Sequence, residues 1–150
     1  MKLRSPARGV YFGDGFLRIR EISMPSPDER LRPHPATRLT GPSEVLDLPA
    51  FARRLRSEPH AARDGHRQVG LIHRGPLRLV LFAFDAGGRL PEHKAPGQVV
   101  IECLSGSITV DAAGARHELG DRMMVVLEPG VPHAIEAQVE SEMLLTVCLD

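Results

Sequence analysis

Two histidines carry the strongest chemical signal in this 150-residue chain. His93 lies within Gly88-Arg89-Leu90-Pro91-Glu92-His93-Lys94-Ala95-Pro96-Gly97-Gln98, and His133 follows Glu128-Pro129-Gly130-Val131-Pro132. Imidazoles at such turn-to-strand junctions suit two kinds of chemistry. They hold a metal ion that acts as a Lewis acid or oxygen-activating centre, or they serve as polar groups that orient a small ligand in an apolar site. Two histidines alone make a weak metal site. Zinc takes three or four N, O or S ligands, and a mononuclear iron oxygenase centre takes two His and a carboxylate. Gln98, Glu92 and Cys103 are the candidates for a third ligand.

Strand parity sorts these residues. Pro129-Gly130 suits the central positions of a type II turn, because Pro fixes φ and Gly accepts a positive φ. The chain then enters a strand in which Val131, His133, Ile135 and Ala137 share the apolar face, with Ala134 and Glu136 opposite. Val99, Ile101 and Cys103 share a second inward face, while Gln98 turns away from it unless a bulge resets the register. Glu92 is adjacent to His93 and points elsewhere if the chain is extended. The expected ligand pocket comprises His93, Gln98, Ile101, Cys103, His133 and Ile135, with His93 and His133 as the metal-binding pair. His34, His60, His66, His73 and His117 are expected on solvated surface or loops. No GxSxG elbow and no Gly-rich phosphate loop is present, so catalytic residues stay unknown.

The elements that must position the pair are strands. From Val69 onward, Leu77–Phe84, Gln98–Leu104, Ser107–Asp111, Ala115–Leu119, Met123–Leu127, Pro132–Ala137 and Glu142–Leu149 alternate with Gly, Pro and Asp turns. Short strands at this spacing, without interleaved helices, predict an all-β antiparallel sandwich or barrel. Met123–Leu127 reads as core. Asp47–Glu58 is the one predicted helix: Asp47 caps it, Pro49 fits its first turn, and Leu48, Phe51, Ala52 and Leu55 form a stripe against the barrel's outside. Residues 1–42 read as a partly irregular N-terminal extension, and residues 43–150 as the β domain. Within the extension, Val10 to Ile22 predicts a hairpin turning at Gly13-Asp14-Gly15, and Met24–Thr40 a Pro-rich connector.

The segments around His93 and His133 resemble the two motifs of the cupin superfamily, over roughly Leu79 to Leu149. Gly88 and His93 match the start of the first motif, and Ser105-Gly106 its terminal turn. Gly130-Val131-Pro132-His133 matches the end of the second, with Glu128 where the family often has Pro. The family's second histidine falls on Ala95, its glutamate on Val99, and a glycine expected before the Met123 strand on Arg122. The resemblance implies a double-stranded antiparallel β-barrel of the cupin or jelly-roll type, with one short N-terminal helix. It also implies a divalent metal (zinc, iron, manganese or nickel), for which this chain keeps two of four ligands; a pocket without metal stays open beside it.

Composition narrows the partners. Lys+Arg and Asp+Glu both number 19, so no global charge favours nucleic acid or an anionic membrane. The basic segment Met1 to Val10 lacks an apolar h-region, no apolar run has membrane-spanning length, and Cys103 and Cys148 read as reduced thiols; a cytoplasmic protein is expected. Three functions remain open: a small-molecule-binding protein, a metal-dependent dioxygenase or isomerase, and a homodimeric interaction module.

Overall fold

The computed structural model describes residues 35–59 and 62–150. The expected N-terminal hairpin, residues 24–34 of the connector, His34 and His60 lie outside them. The chain runs α1 (Pro35–Arg38), α2 (Leu48–Arg56), β1 (His66–Arg74), β2 (Leu77–Phe84), β3 (Arg89–His93), β4 (Gln98–Ser105), β5 (Ser107–Ala112), β6 (Ala115–Gly120), β7 (Met123–Leu127), β8 (His133–Ala137) and β9 (Ser141–Cys148). The strands form two antiparallel sheets, ordered β1-β2-β9-β4-β7 and β3-β8-β5-β6. This is a jelly-roll arrangement of two ladders. β3 and the single-turn helix α1 are additions to the elements expected from sequence.

Alternation builds the interior. Val99, Ile101 and Cys103 of β4 meet Ile108 and Val110 of β5 and Ile135 and Ala137 of β8, all buried in one apolar cluster between the sheets. A second cluster lies outside the larger sheet. There Ala52 and Leu55 of α2 cover Val69, Leu71, Leu81 and Ala83. The helix starts as its sequence dictates, with Asp47 Oδ1 accepting from the Ala50 N–H at 2.9 Å. Arg56 pins its end, donating to the carbonyls of Phe84 at 3.3 Å and Ser141 at 3.2 Å. Just N-terminal to this, Arg74 donates through Nε to the Leu39 carbonyl at 3.0 Å and through Nη2 to that of Gly41 at 3.1 Å, holding the described end of the extension against β1. No helix among the described residues is long and apolar enough to cross a membrane.

The expected core strand Met123–Leu127 is only partly core. Leu127 is buried, whereas Met123, Met124 and Val126 are exposed. β7 ends the five-stranded order, and α2 covers the other end of that sheet, so no described element forms a layer over its outward side chains.

Arg122, which stands where the resemblance expects glycine, has φ +64°. Its N–H donates to the Cys103 carbonyl at 2.7 Å, and the neighbouring Asp121 carboxylate accepts from the Gly106 N–H at 2.6 Å. The turn therefore keeps a glycine-favouring backbone around a residue with a Cβ, at a cost of about 1–2 kcal/mol. Glycine would relieve this but lose roughly 0.5–1 kcal/mol to its freer unfolded chain. Arg122→Gly should thus raise stability by about 0.5–1 kcal/mol in urea unfolding; a lower midpoint would mean that the arginine side chain contributes more than the strain costs.

Candidate functional site

The two motif segments meet at one end of the interior. Glu128-Pro129-Gly130-Val131 makes the expected turn: Gly130 has φ +77°, and the Val131 N–H donates to the Glu128 carbonyl at 3.3 Å. The Gly130 N–H then donates to the Ala95 carbonyl at 2.7 Å, which ties the loop before β8 to the loop after β3. β8 leaves this turn with His133, Ile135 and Ala137 buried, as alternation predicts.

His93 reaches the same place through an irregularity. β3 pairs with β8 as Arg89↔Glu136, Leu90↔Ile135 and His93↔His133, so three steps on β3 match two on β8. The extra residue is a bulge at Pro91-Glu92, a position that tolerates proline. Unbroken alternation would put Leu90 and His93 on opposite faces. The bulge turns both inward, with Pro91 and Glu92 exposed between them. Across β8, the partner of His133 on β5 is Ala112, whose small side chain leaves room for the ring.

The imidazoles are neighbours, with ring centroids 4.2 Å apart and planes inclined at 60°. His93 is 8% exposed and His133 1%. Each ring is anchored in the same way: Nδ1 of His93 bonds the Pro91 carbonyl at 2.8 Å, and Nδ1 of His133 bonds the Val131 carbonyl at 3.0 Å. A carbonyl only accepts, so each Nδ1 carries hydrogen and each Nε2 of the neutral ring presents a lone pair. Nε2 of His133 is buried without a hydrogen-bond partner.

The remaining expected pocket residues separate. Ile101, Cys103 and Ile135 are fully inside the apolar cluster rather than on an open wall. The Cys103 thiol is pushed up by burial and then by Asp121, which keeps it protonated. Gln98 does not join them: it is exposed on the other face of β4, its amide 3.5 Å from the Glu128 carboxylate. No bulge resets its parity. Among the expected surface histidines, His73 and His117 are half-buried. His66 is a correction. It is buried, its Nδ1 bonds the Arg89 carbonyl at 2.9 Å, and its ring packs on Phe82 and Phe84. It opens β1 directly opposite Phe84, on the interior face. A strand read only from Val69 onward hides that placement.

A metal bound here would have Nε2 of His93 and of His133 as its protein donors. The anchored Nδ1–H groups and the orphaned Nε2 suit ligation. The donor number does not. Glu92 and Gln98 are exposed, Cys103 lies along β4 near the Ser105 turn, and Ala95 and Val99 are buried apolar residues where the resemblance expects a histidine and a glutamate. Among the described residues, no three His, Cys, Asp or Glu side chains converge. The described residues do not fit a protein-held mononuclear centre.

Burial, and then the positive charge His133 would carry beside it, lower the His93 pKa to about 4, against a smaller opposing effect of the Pro91 carbonyl. Burial lowers His133 and His66 in the same direction. The unfolded chain thus binds more protons than the folded one between pH 6.5 and about 4. Stability is full above pH 6.5 and falls as pH drops through that window. Thermal and urea unfolding at pH 7.5 and 4.5 should show His93→Gln losing less stability than wild type between the two, by on the order of 2–3 kcal/mol. Equal losses would mean that His93 is not held neutral.

Residues 80–149 match the family model described as Cupin domain. No curated relative matches the chain. Among solved structures, a conserved protein of unknown function from Streptococcus pyogenes, SPY1581, is similar over 81% of this chain and 98% of its own, at 22% identity and a TM-score of 0.60. A cupin superfamily protein from Desulfitobacterium hafniense is similar over 61% of this chain and 84% of its own, at 19% identity and a TM-score of 0.56. Salicylate 1,2-dioxygenase from Pseudaminobacter salicylatoxidans is similar over 66% of this chain and 31% of its own, at 19% identity and a TM-score of 0.56. At these identities the structural likeness speaks for fold alone. The family match covers β2's end through β9, the part that carries His93 and His133, and residues 80–149 of this chain form a cupin domain.

Proposed function

We propose that this protein binds a small molecule at the His93–His133 end of its sandwich and carries out no metal-dependent reaction there. The observation that carries this reading is Nε2 of His133, buried and without a partner. Leaving such a group unpaired costs about 1–3 kcal/mol. A ligand that satisfies it recovers that energy on binding, so the atom is a ready anchor for one. The apolar residues around the pair favour burial of the ligand's carbon skeleton.

The competing reading is a metal-dependent dioxygenase or isomerase. It has in its favour the dioxygenase among the structures of similar fold, and against it the two-donor set. One pair of measurements separates them. Purified protein is first analysed for zinc, iron, manganese and nickel without exposure to chelator, and the expected content is far below one ion per chain. It is then heated with a panel of millimolar sugars, sugar alcohols, phenols, amines and carboxylates. A ligand at one hundred times its Kd adds about 2.7 kcal/mol to stability. At least one class should raise the melting temperature of wild type and leave His133→Ala unmoved. Stoichiometric metal that disappears in His93→Ala with His133→Ala would favour the enzyme. A panel with no His133-dependent shift would overturn the binding reading.

A further inference from the structure

The polarity of the two rings restricts what the site accepts. This step rests on the binding reading above and asks which ligand class it serves. Both Nδ1 atoms are committed to carbonyl oxygens, at 2.8 Å in His93 and 3.0 Å in His133. Both Nε2 atoms are therefore acceptors while the rings are neutral. Two buried imidazoles with centroids 4.2 Å apart do not both hold a positive charge, because desolvation and mutual repulsion oppose it.

Among the described residues, the ladder neighbours of the pair add no side-chain donor. In the ladder, His133 lies between His93 and Ala112, and Leu90, Ala95 and Ile135 are the buried residues flanking the pair along its own strands and loop. Lys94, the adjacent cation in sequence, is exposed, and Arg89 is paired outside with Glu136 at 3.5 Å. A carboxylate or phosphate brings only acceptors and negative charge, and it would face two lone pairs in an apolar surround. We infer that the site selects an uncharged molecule carrying two adjacent hydrogen-bond donors, such as a vicinal diol, one donor for each Nε2 of His93 and His133. An acidic ligand would meet the same lone pairs and should bind less well.

The test uses four probes of similar bulk on the full chain at pH 7.5: cis-1,2-cyclohexanediol, its monomethyl ether, its dimethyl ether, and cyclohexanecarboxylate. Affinity is measured by titration calorimetry, and the imidazole nitrogens are followed by ¹⁵N NMR. The diol should bind and shift the Nε2 resonances of both histidines while leaving Nδ1 nearly unmoved. Each methylation removes a donor and should weaken binding by roughly tenfold or more, since a site built around a hydrogen bond discriminates against the analogue lacking it. The carboxylate should bind worst. Equal affinity for the diol and its dimethyl ether, preference for the carboxylate, or no binding of the diol would each overturn the donor rule. The wider panel keeps that failure distinct: carboxylates that shift wild type but not His133→Ala would leave small-molecule binding standing with the ligand class wrong. His133→Gln, which keeps a polar group of similar reach, guards against misfolding of the alanine variant; its ¹⁵N–¹H spectrum should stay folded while diol affinity falls.

Discussion

One extra residue in β3 controls the chemistry of this molecule. The sandwich interior is apolar, and its ladders shift register at Gly70/Ile72, at Cys103/Ser105 and in β3. At Pro91-Glu92 the alternation breaks, so that Leu90 and His93 both face inward against Ile135 and His133. An unbulged β3 would place His93 on the outside with Glu92 against the core. The bulge also explains the proline: its missing N–H falls where the ladder has no partner to offer. The Gly130 N–H to Ala95 carbonyl bond closes the arrangement from the other side. The two loops that frame the pair are thereby fixed to each other rather than hinged independently.

Much of this was legible in the residues, for identifiable reasons. Leu77–Phe84 and Met123–Leu127 are strands as expected, because β-branched and aromatic runs ended by Asp-Ala-Gly-Gly and Glu-Pro-Gly punctuation have few other solutions. His133 faces inward because type II turn chemistry fixes where β8 begins, and parity does the rest. His93 was found by motif, not by parity: a bulge is a property of paired strands, and a single strand's pattern does not display it. β3 was hidden for the same reason, since Arg-Leu-Pro-Glu-His has no alternation of its own. The edge position of β7 was equally hidden. Met-Met-Val-Val-Leu is apolar enough for a core strand, and only the sheet order leaves its outer face uncovered by any described element.

Ala95 and Val99 show what became of the rest of the motif. Both are buried members of the apolar cluster, not exposed remnants. A buried carboxylate at position 99 would need a metal or a cation to be tolerated there. Valine needs neither, and it packs between Leu127 and Val147 on the neighbouring strands. Val99 thus leaves this part of the interior without a buried carboxylate, while the histidines are held in orientation through backbone carbonyls. What is left is the hydrogen-bonding half of a ligation sphere, with its lone pairs intact.

His66 supplies the internal comparison. It too is buried, and its Nδ1 too bonds a backbone carbonyl, that of Arg89. But its ring rests against Phe82 and Phe84, with centroids 5.6 and 5.5 Å away, and neither of its ring nitrogens is left buried and unpaired. That histidine is satisfied by its own fold, as a buried polar side chain ordinarily is. His133 differs in one atom. The same scaffold that serves His66 fully leaves Nε2 of His133 bare beside a second imidazole, and stability alone gives no reason to keep it so. An aliphatic residue opposite Ala112 would remove the unpaired nitrogen, at the cost of the single bond from Nδ1 to the Val131 carbonyl. An unsatisfied acceptor there, beside the second imidazole that the bulge has delivered, is the feature on which the binding proposal rests.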